Sequence, residues 1–479
     1  MKKVFTYILL IIATQLSLLS CSDDKVDGAV FSLKSGTEEI SQLSFAYGEA
    51  YVLLALSSNT DWTLTSDQSW CELSNVAGTS VDVQYIKVSV AYNNGDQNRT
   101  ATLTFNAGGN IKQYQVVQAS KNGTTCPTGM EQDAIDVVKS IHMGWNLGNT
   151  LEAIGGETAW GNPVTTREMI EGVKAKGFNA VRIPCSWNQY LDGEGRITDE
   201  WMNHVKEIVG YCVDAGMYAI INIHWDNGWQ DESCDASTLS EDQIAQVESK
   251  VADIWTQIAT AFIDYDGHLL FAGANEPAVS CREDMLVLKR YEQAFVDAVR
   301  ATGGNNAYRN LIVQGPSTNI DYTDVWMDMP MDVAPARLLA EVHYYSPFNF
   351  CINDDVTTCT YFWGEPYAEY GTIDEGFQED YVLSQFAKMK ARFVDRGIPV
   401  ILGEFGATLR KLEDAELQEK HLESVGYFMG YVTEQAKNHG LAPFVWDTGG
   451  LYDRTTFEMK NASIYNQMMA GADNGQYPF

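Results

Sequence analysis

The chain has 479 residues, of which 64 are acidic and 32 basic, for a formal net charge of −32. That length is too great for one ordinary domain and suits a large domain carrying a small extra module. The negative excess argues against nucleic acid or another polyanion as a partner, since those are held by clustered cations.

Residues 1–20 read as an address. Lys2 and Lys3 precede an apolar run from about Val4 to Leu19, the charged-then-apolar order of a secretory signal. Leu18-Leu19-Ser20-Cys21 resembles a bacterial lipobox, which implies cleavage before Cys21 and lipidation of its thiol. Ser22-Asp23-Asp24 resembles the acidic export tag of Bacteroidetes surface lipoproteins. The expectation is an exported, monomeric lipoprotein of the outer membrane at the cell surface. The lipid on Cys21 is its only expected anchor, because no later stretch is long and apolar enough to span a bilayer.

Residues 27–120 alternate short strand-like runs, such as Tyr51–Leu56, Ile86–Val90 and Ala101–Phe105, with turns of Asn, Asp and Gly. This spacing predicts a β-sandwich. Asn59-Thr60-Asp61-Trp62, Ser69-Trp70-Cys71, Arg99-Thr100-Ala101 and Val116-Val117-Gln118-Ala119 resemble a BACON module, a sandwich that precedes Bacteroidetes glycosidases. Trp62 and Trp70 are expected in its core. No aromatic stripe stands out, so a spacer role is expected. Residues 121–129, with Pro127 among Thr, Gly and Asn, read as a linker to a catalytic region at 130–479.

That region alternates two periodicities. Strand candidates lie near His142–Asn149, Ala180–Pro184, Tyr218–His224, Leu269–Glu276, Leu311–Gln314, Leu338–His343, Val400–Glu404 and Pro443–Trp446. Amphipathic runs between them include Thr165–Lys176, Glu200–Ala215, Glu241–Phe262, Glu283–Arg300, Tyr381–Arg396 and Glu419–Asn438. Eight such strands predict a (β/α)8 TIM barrel, an α/β fold whose functional residues sit at the C-terminal strand ends.

Two of those ends carry glutamates, Glu276 in Asn275-Glu276-Pro277 and Glu404 in Gly403-Glu404-Phe405-Gly406. Hydrolysis of a glycosidic bond needs two carboxylates facing each other. With Gly144–Thr150, Val181-Arg182-Ile183-Pro184, Ile221-Asn222-Ile223-His224, His343-Tyr344-Tyr345 and Val445-Trp446-Asp447, the ordered set resembles glycoside hydrolase family 5, the cellulase type. The resemblance implies that Glu276 is the acid/base and Glu404 the nucleophile. Arg182, His343 and Tyr345 would surround the nucleophile and depress its pKa, while the neighbouring charge would raise that of Glu276. It also implies that Asn275 holds the sugar 2-hydroxyl, with His224 beside and Trp446 beneath the −1 sugar. Ala272 and Trp225 depart from common family choices, Glu and a second His.

Trp160, Trp187, Trp225, Trp229 and Trp363 occupy loop positions from which indoles could line a cleft, whereas Trp201 and Trp255 fall on helical runs expected to pack. Neither the cysteine spacing nor the scattered histidines make a metal motif, and the chemistry requires no cofactor. Export permits disulfides. Cys351 and Cys359 flank a polar loop, Cys234 and Cys281 follow neighbouring catalytic-face strands, and the latter pair is predicted to bridge. The leading expectation is a retaining endo-β-1,4-glucanase acting on cellulose-like, mixed-linkage or xyloglucan polysaccharide. The alternatives are an endo-β-1,4-mannanase and a non-catalytic surface glycan-binding lipoprotein.

Overall fold

The computed structural model describes residues 28–479 apart from 36, 37, 41, 46, 48, 49, 94, 96 and 121–125. Cys21 and the predicted signal lie outside the described residues, as do residues 121–125 of the predicted linker. Among the described residues no helix is long and apolar enough to cross a membrane. The chain divides into two compact units.

The N-terminal region contains two five-stranded sheets. Ala101, Leu103, Phe105 and Ala107 alternate inward along the strand Arg99–Ala107. Leu54, Leu56, Ile86 and Val88 of the other sheet are likewise buried. Trp62 is buried edge-on against Phe105, with ring centroids 6.2 Å apart, as expected of a core residue, whereas Trp70 is half-buried. One finding departs from expectation. Tyr51 and Leu53 on one strand, with Tyr85 and Val83 on its neighbour, are exposed, and Lys87 lies 4.1 Å from the Tyr51 ring.

The second unit holds a closed barrel of eight parallel strands, which take neighbouring places in chain order. In that order they are Gly144–Asn146, Ala180–Ile183, Tyr218–Asn222, Leu269–Ala272, Leu311–Gln314, Leu338–Tyr344, Val400–Phe405 and Leu441–Val445. All six expected helices form, each within a few residues of the expected bounds. The last strand begins before its expected start, so Pro443 falls inside it. The register slips immediately afterwards, where a missing donor is tolerated.

Alternation along the strands sorts residues between two cores. Val181, Ile221, Phe271, Val313, Val342 and Leu402 pack outward in the cluster shared with the helices. Ile220, Leu270, Ile312, Leu339, Ile401 and Phe444 point inward and form an apolar floor. A short helix missed by the sequence reading, Ala134–Ser140, closes that floor with Ala134, Val137 and Val138. Asp133 caps it by accepting the Asp136 N–H.

Candidate active site

Above the floor the inward positions turn polar. Asn146, Arg182, Asn222, Gln314 and Glu341 are the next inward residues on five strands, and all are fully buried. On the sixth strand the same period of two carries the face from Leu339 through Glu341 to His343.

Glu404 reaches this face by a bulge. Val342 pairs with Leu402 but His343 with Glu404, so Gly403 is an extra residue. Strict alternation would have sent Glu404 outward with Leu402, and the bulge re-aims it into the barrel mouth. Only glycine fits at 403, because a Cβ there would overlap the Glu341 carboxylate.

Arg182, fully buried, is the hub. Its Nε lies 3.0 Å from Glu341 Oε1 and its Nη1 2.9 Å from Glu404 Oε1. Nη1 also donates to Asn146 Oδ1 at 3.0 Å, and Nη2 donates to Asn275 Oδ1 at 2.8 Å. A planar guanidinium can serve several acceptors at fixed angles, which an ammonium cannot do. Tyr345 donates its hydroxyl to Glu404 Oε2 at 2.9 Å. Arg182 and Tyr345 hydrogen-bond Glu404, and His343 stands between the two glutamates. Its Nδ1 is 2.7 Å from Glu276 Oε1 and 3.8 Å from Glu404 Oε2, because Nε2 is turned toward Glu341 Oε1 at 3.2 Å. An oxygen of Glu276, an oxygen of Glu404 and a His343 ring nitrogen all lie within 4.8 Å of one another.

The ionisation order is the reverse of expectation. Burial raises the pKa of Glu404, and His343 and Arg182 offset this only in part. For Glu276 burial acts upward too, but the His343 hydrogen bond and charge, with Arg182, outweigh it and leave the pKa lowered. The cause is placement, for His343 gives its hydrogen bond to Glu276 rather than to Glu404, and the charge of Glu276 in turn raises Glu404. Burial disfavours a charged His343, yet Glu404, Glu276 and Glu341 together carry its pKa up to about 10. His224 is driven well below its ordinary value by burial and by the charges of Arg182 and His343, so it is a neutral imidazole. Its ring stacks at 6° to Trp446, with centroids 5.7 Å apart.

A cavity of about 460 Å³ opens over these groups, lined by His224, Asn275, Glu276 and Trp446 together with Asp231, Glu152, Trp160 and Trp225. Of the five loop tryptophans, Trp160 and Trp225 face this cavity, 44% and 41% exposed. Trp187 and Trp363 are fully buried and donate their indole N–H groups to Asn222 O and Phe377 O. Trp229 packs under Lys250 and donates to Asp226. Trp201 and Trp255 are buried, as expected. Trp225 begins a run of positive φ at 36°, 52°, 64° and 71° through Asp226, Asn227 and Gly228. Buried Asp226 anchors this strained turn by accepting from Ser186 Oγ, Asn188 N and Trp229 Nε1.

The predicted Cys234–Cys281 bridge is absent, since both are free thiols, as are Cys351 and Cys359. Cys234 is buried with its Sγ turned toward Gln230 O at 3.9 Å, while Cys281 stands at the start of the helix Arg282–Ala301. Sequence reasoning missed Glu341, Gln314, Asp231 and Glu152. Only Glu341 left a signal, its two-residue spacing from His343 on a strand.

A closed parallel barrel with opposed carboxylates at its mouth has the architecture of a glycoside hydrolase, and comparison with known proteins names the family. Residues 146–450 match the profile of cellulase, glycosyl hydrolase family 5, and residues 60–119 match that of the BACON N-terminal binding domain. The chain is 33% identical to a xyloglucan-specific endo-β-1,4-glucanase of Bacteroides ovatus, covering 97% of this chain and 96% of that protein. The solved structure of a Bacteroides ovatus family 5 xyloglucanase with a XXXG heptasaccharide superposes with a TM-score of 0.70 at 32% identity, covering 92% of this chain and all of that one. A xyloglucan-specific β-1,4-glucanase from a ruminal metagenomic library, in complex with XXLG, superposes at 0.67 and 41% identity, covering 73% of this chain and 98% of that one. The chain belongs to glycosyl hydrolase family 5 and is a glycoside hydrolase of the endoglucanase type.

Proposed function

We propose that the protein is a retaining endo-β-1,4-glucanase whose preferred substrate is xyloglucan, and that it works at the cell surface as a monomer tethered by a lipid on Cys21. The observation that carries the mechanism is the approach of Glu276 and Glu404 to within 4.8 Å. Retaining enzymes hold their carboxyl groups about 5–5.5 Å apart, and inverting enzymes leave about 6.5–9.5 Å for a water. The xyloglucan preference is supported by the relatives described above.

In this reading Glu404, oriented by Arg182 and Tyr345, attacks the anomeric carbon while Glu276 protonates the departing glycosidic oxygen. Asn275, its Oδ1 engaged by Arg182, keeps its amide N–H groups for the 2-hydroxyl. The protein's own groups set that reversed ionisation order. His343 stands between carboxylates and holds the proton that the Glu276–His343 pair shares. A sugar covering Glu276 displaces its water, disfavours its charge and draws that proton onto the carboxyl. Once Glu404 is esterified, its negative charge is gone, and Glu276 returns as base to activate water.

Two measurements on the purified protein test this. Reducing-end release is compared on xyloglucan, barley β-glucan, carboxymethylcellulose and galactomannan, and the first-formed anomer is followed by NMR. Fastest release from xyloglucan with a β-anomer is expected. Preferential cleavage of galactomannan would make the enzyme a mannanase, no release from any glycan would leave a binding protein, and an α-anomer would exclude double displacement.

A further inference from the structure

The chain leaves the fourth barrel strand at Ala272 and runs without regular structure through Asn275, Glu276 and Pro277. N–H groups in such a segment have no ladder to join and need another acceptor. Asp231, on the loop after the third strand and 4% exposed, supplies one. Its Oδ2 accepts the Glu276 N–H at 3.0 Å, its Oδ1 lies 3.5 Å from the Asn275 N, and its main-chain oxygen accepts the Ala278 N–H at 2.6 Å. Asp231 also lines the catalytic cavity. No cation pairs with it among the described residues.

We propose that Asp231 is a positioning residue for hydrolysis, its buried carboxylate clamping the main chain of Asn275 and Glu276 so that the Glu276 carboxyl stands at the glycosidic oxygen. This rests on the assignment of Glu276 as the acid. A nearby negative charge also favours the protonated form of Glu276, the form that donates. The other groups around Glu276 are His343 at 2.7 Å, the Thr318 hydroxyl at 3.4 Å, and the charges of Arg182 and Glu404. Those facing Asp231 are Glu276, His343 and the buried Cys234 thiol. Burial carries the pKa of Asp231 up to about 7, against the two backbone hydrogen bonds that lower it, so it gains its charge across the neutral range. Ionised Asp231 therefore holds the proton that Glu276 shares with His343 to higher pH.

The test compares wild type, Asp231→Asn and Asp231→Ala on xyloglucan and on an aryl cellobioside with an acidic leaving group. Wild-type activity on xyloglucan is measured first, and its absence would count against the assignment of function rather than against Asp231. Asp231→Asn keeps an acceptor oxygen and removes the charge. It should move the alkaline limb of kcat/KM downward by about half a unit to one unit. Asp231→Ala should lower kcat on xyloglucan on the order of tenfold or more, with a smaller loss on the aryl substrate, which needs little protonation. A purely structural role would lower both substrates alike and leave the pH profile in place. An unmoved alkaline limb in Asp231→Asn, with equal losses on the two substrates, overturns the proposal. Because that variant retains the clamp's acceptor, it remains decisive if Asp231→Ala does not fold.

Discussion

The two halves of the barrel interior solve opposite problems with the same strands. Below, Ile220, Leu270, Ile312, Leu339 and Ile401 make an apolar floor, sealed by the helix Ala134–Ser140. Above, Arg182 and Glu341 one step along the same alternation, His343 a step further and Glu404 through its bulge are buried together as ions. The floor gains free energy from each methylene it hides. The upper layer loses solvation for every charge and recovers it only through well-aligned partners. Stability is thus concentrated at one end and chemistry at the other, as barrel geometry favours.

The sharpest separation should come from the two glutamates. Glu404→Ala should lower kcat/KM on every glycan by about 10⁴-fold or more, with little loss of melting temperature, since a buried carboxylate with a raised pKa is removed. Glu276→Ala should instead spare the first step on an activated aryl cellobioside, giving a burst that then stalls. Stopped-flow release of the aryl group distinguishes them, and a burst from the Glu404 variant alone would exchange the two roles.

A second pair contrasts the layers directly. Arg182→Met leaves Glu341 and Glu404 buried without their shared cation and should cost about 3–5 kcal/mol of stability together with nearly all activity. Leu270→Ala should cost a similar amount, about 2–5 kcal/mol, through the cavity it opens in the floor. Its kcat/KM, assayed well below the melting temperature, should be unchanged. Denaturant unfolding beside kinetics checks both, and a catalytic defect in Leu270→Ala would show that the layers are coupled.

The smallest effect concerns Glu152, whose carboxylate accepts the N–H groups of Asn149 and Thr150 at the cavity wall. Burial raises its pKa to about 7. The folded state therefore binds its proton more tightly than the unfolded chain. That contribution to stability is fully present below the ordinary carboxylate pKa and is lost as pH rises through about 7. Glu152→Gln removes the dependence, so its melting temperature relative to wild type should rise between pH 5 and pH 8, by a few degrees. A difference that stays constant across that range would show that Glu152 does not titrate there.

Much of this enzyme was legible before any coordinates. A strand announces itself by local apolar runs, so all eight barrel strands could be placed from neighbours in sequence, as could six helices, though not the thirteen-residue helix Ala462–Asn474. Glu276, Glu404, Arg182, Asn275 and Tyr345 stood out because each lies in a short motif at or just beyond the C-terminal end of a strand. The short helix Ala134–Ser140 was missed, since seven residues give too little periodicity to read.

What the sequence by itself determined was the barrel, the strand ends and the pair of opposed carboxylates, because those follow from periodicity and from residue types in a fixed order. Tertiary structure alone decided which carboxylate His343 would touch, which glutamate would be the harder to ionise, and that Glu341, Asp231 and Glu152, three among 64 acidic residues, would be buried at the site. It also decided that Cys234 and Cys281 would remain apart. These depend on distance and on exclusion of water. Both are set by segments far apart in the chain, as Arg182 and Glu404 are at 222 residues, and no local pattern encodes them.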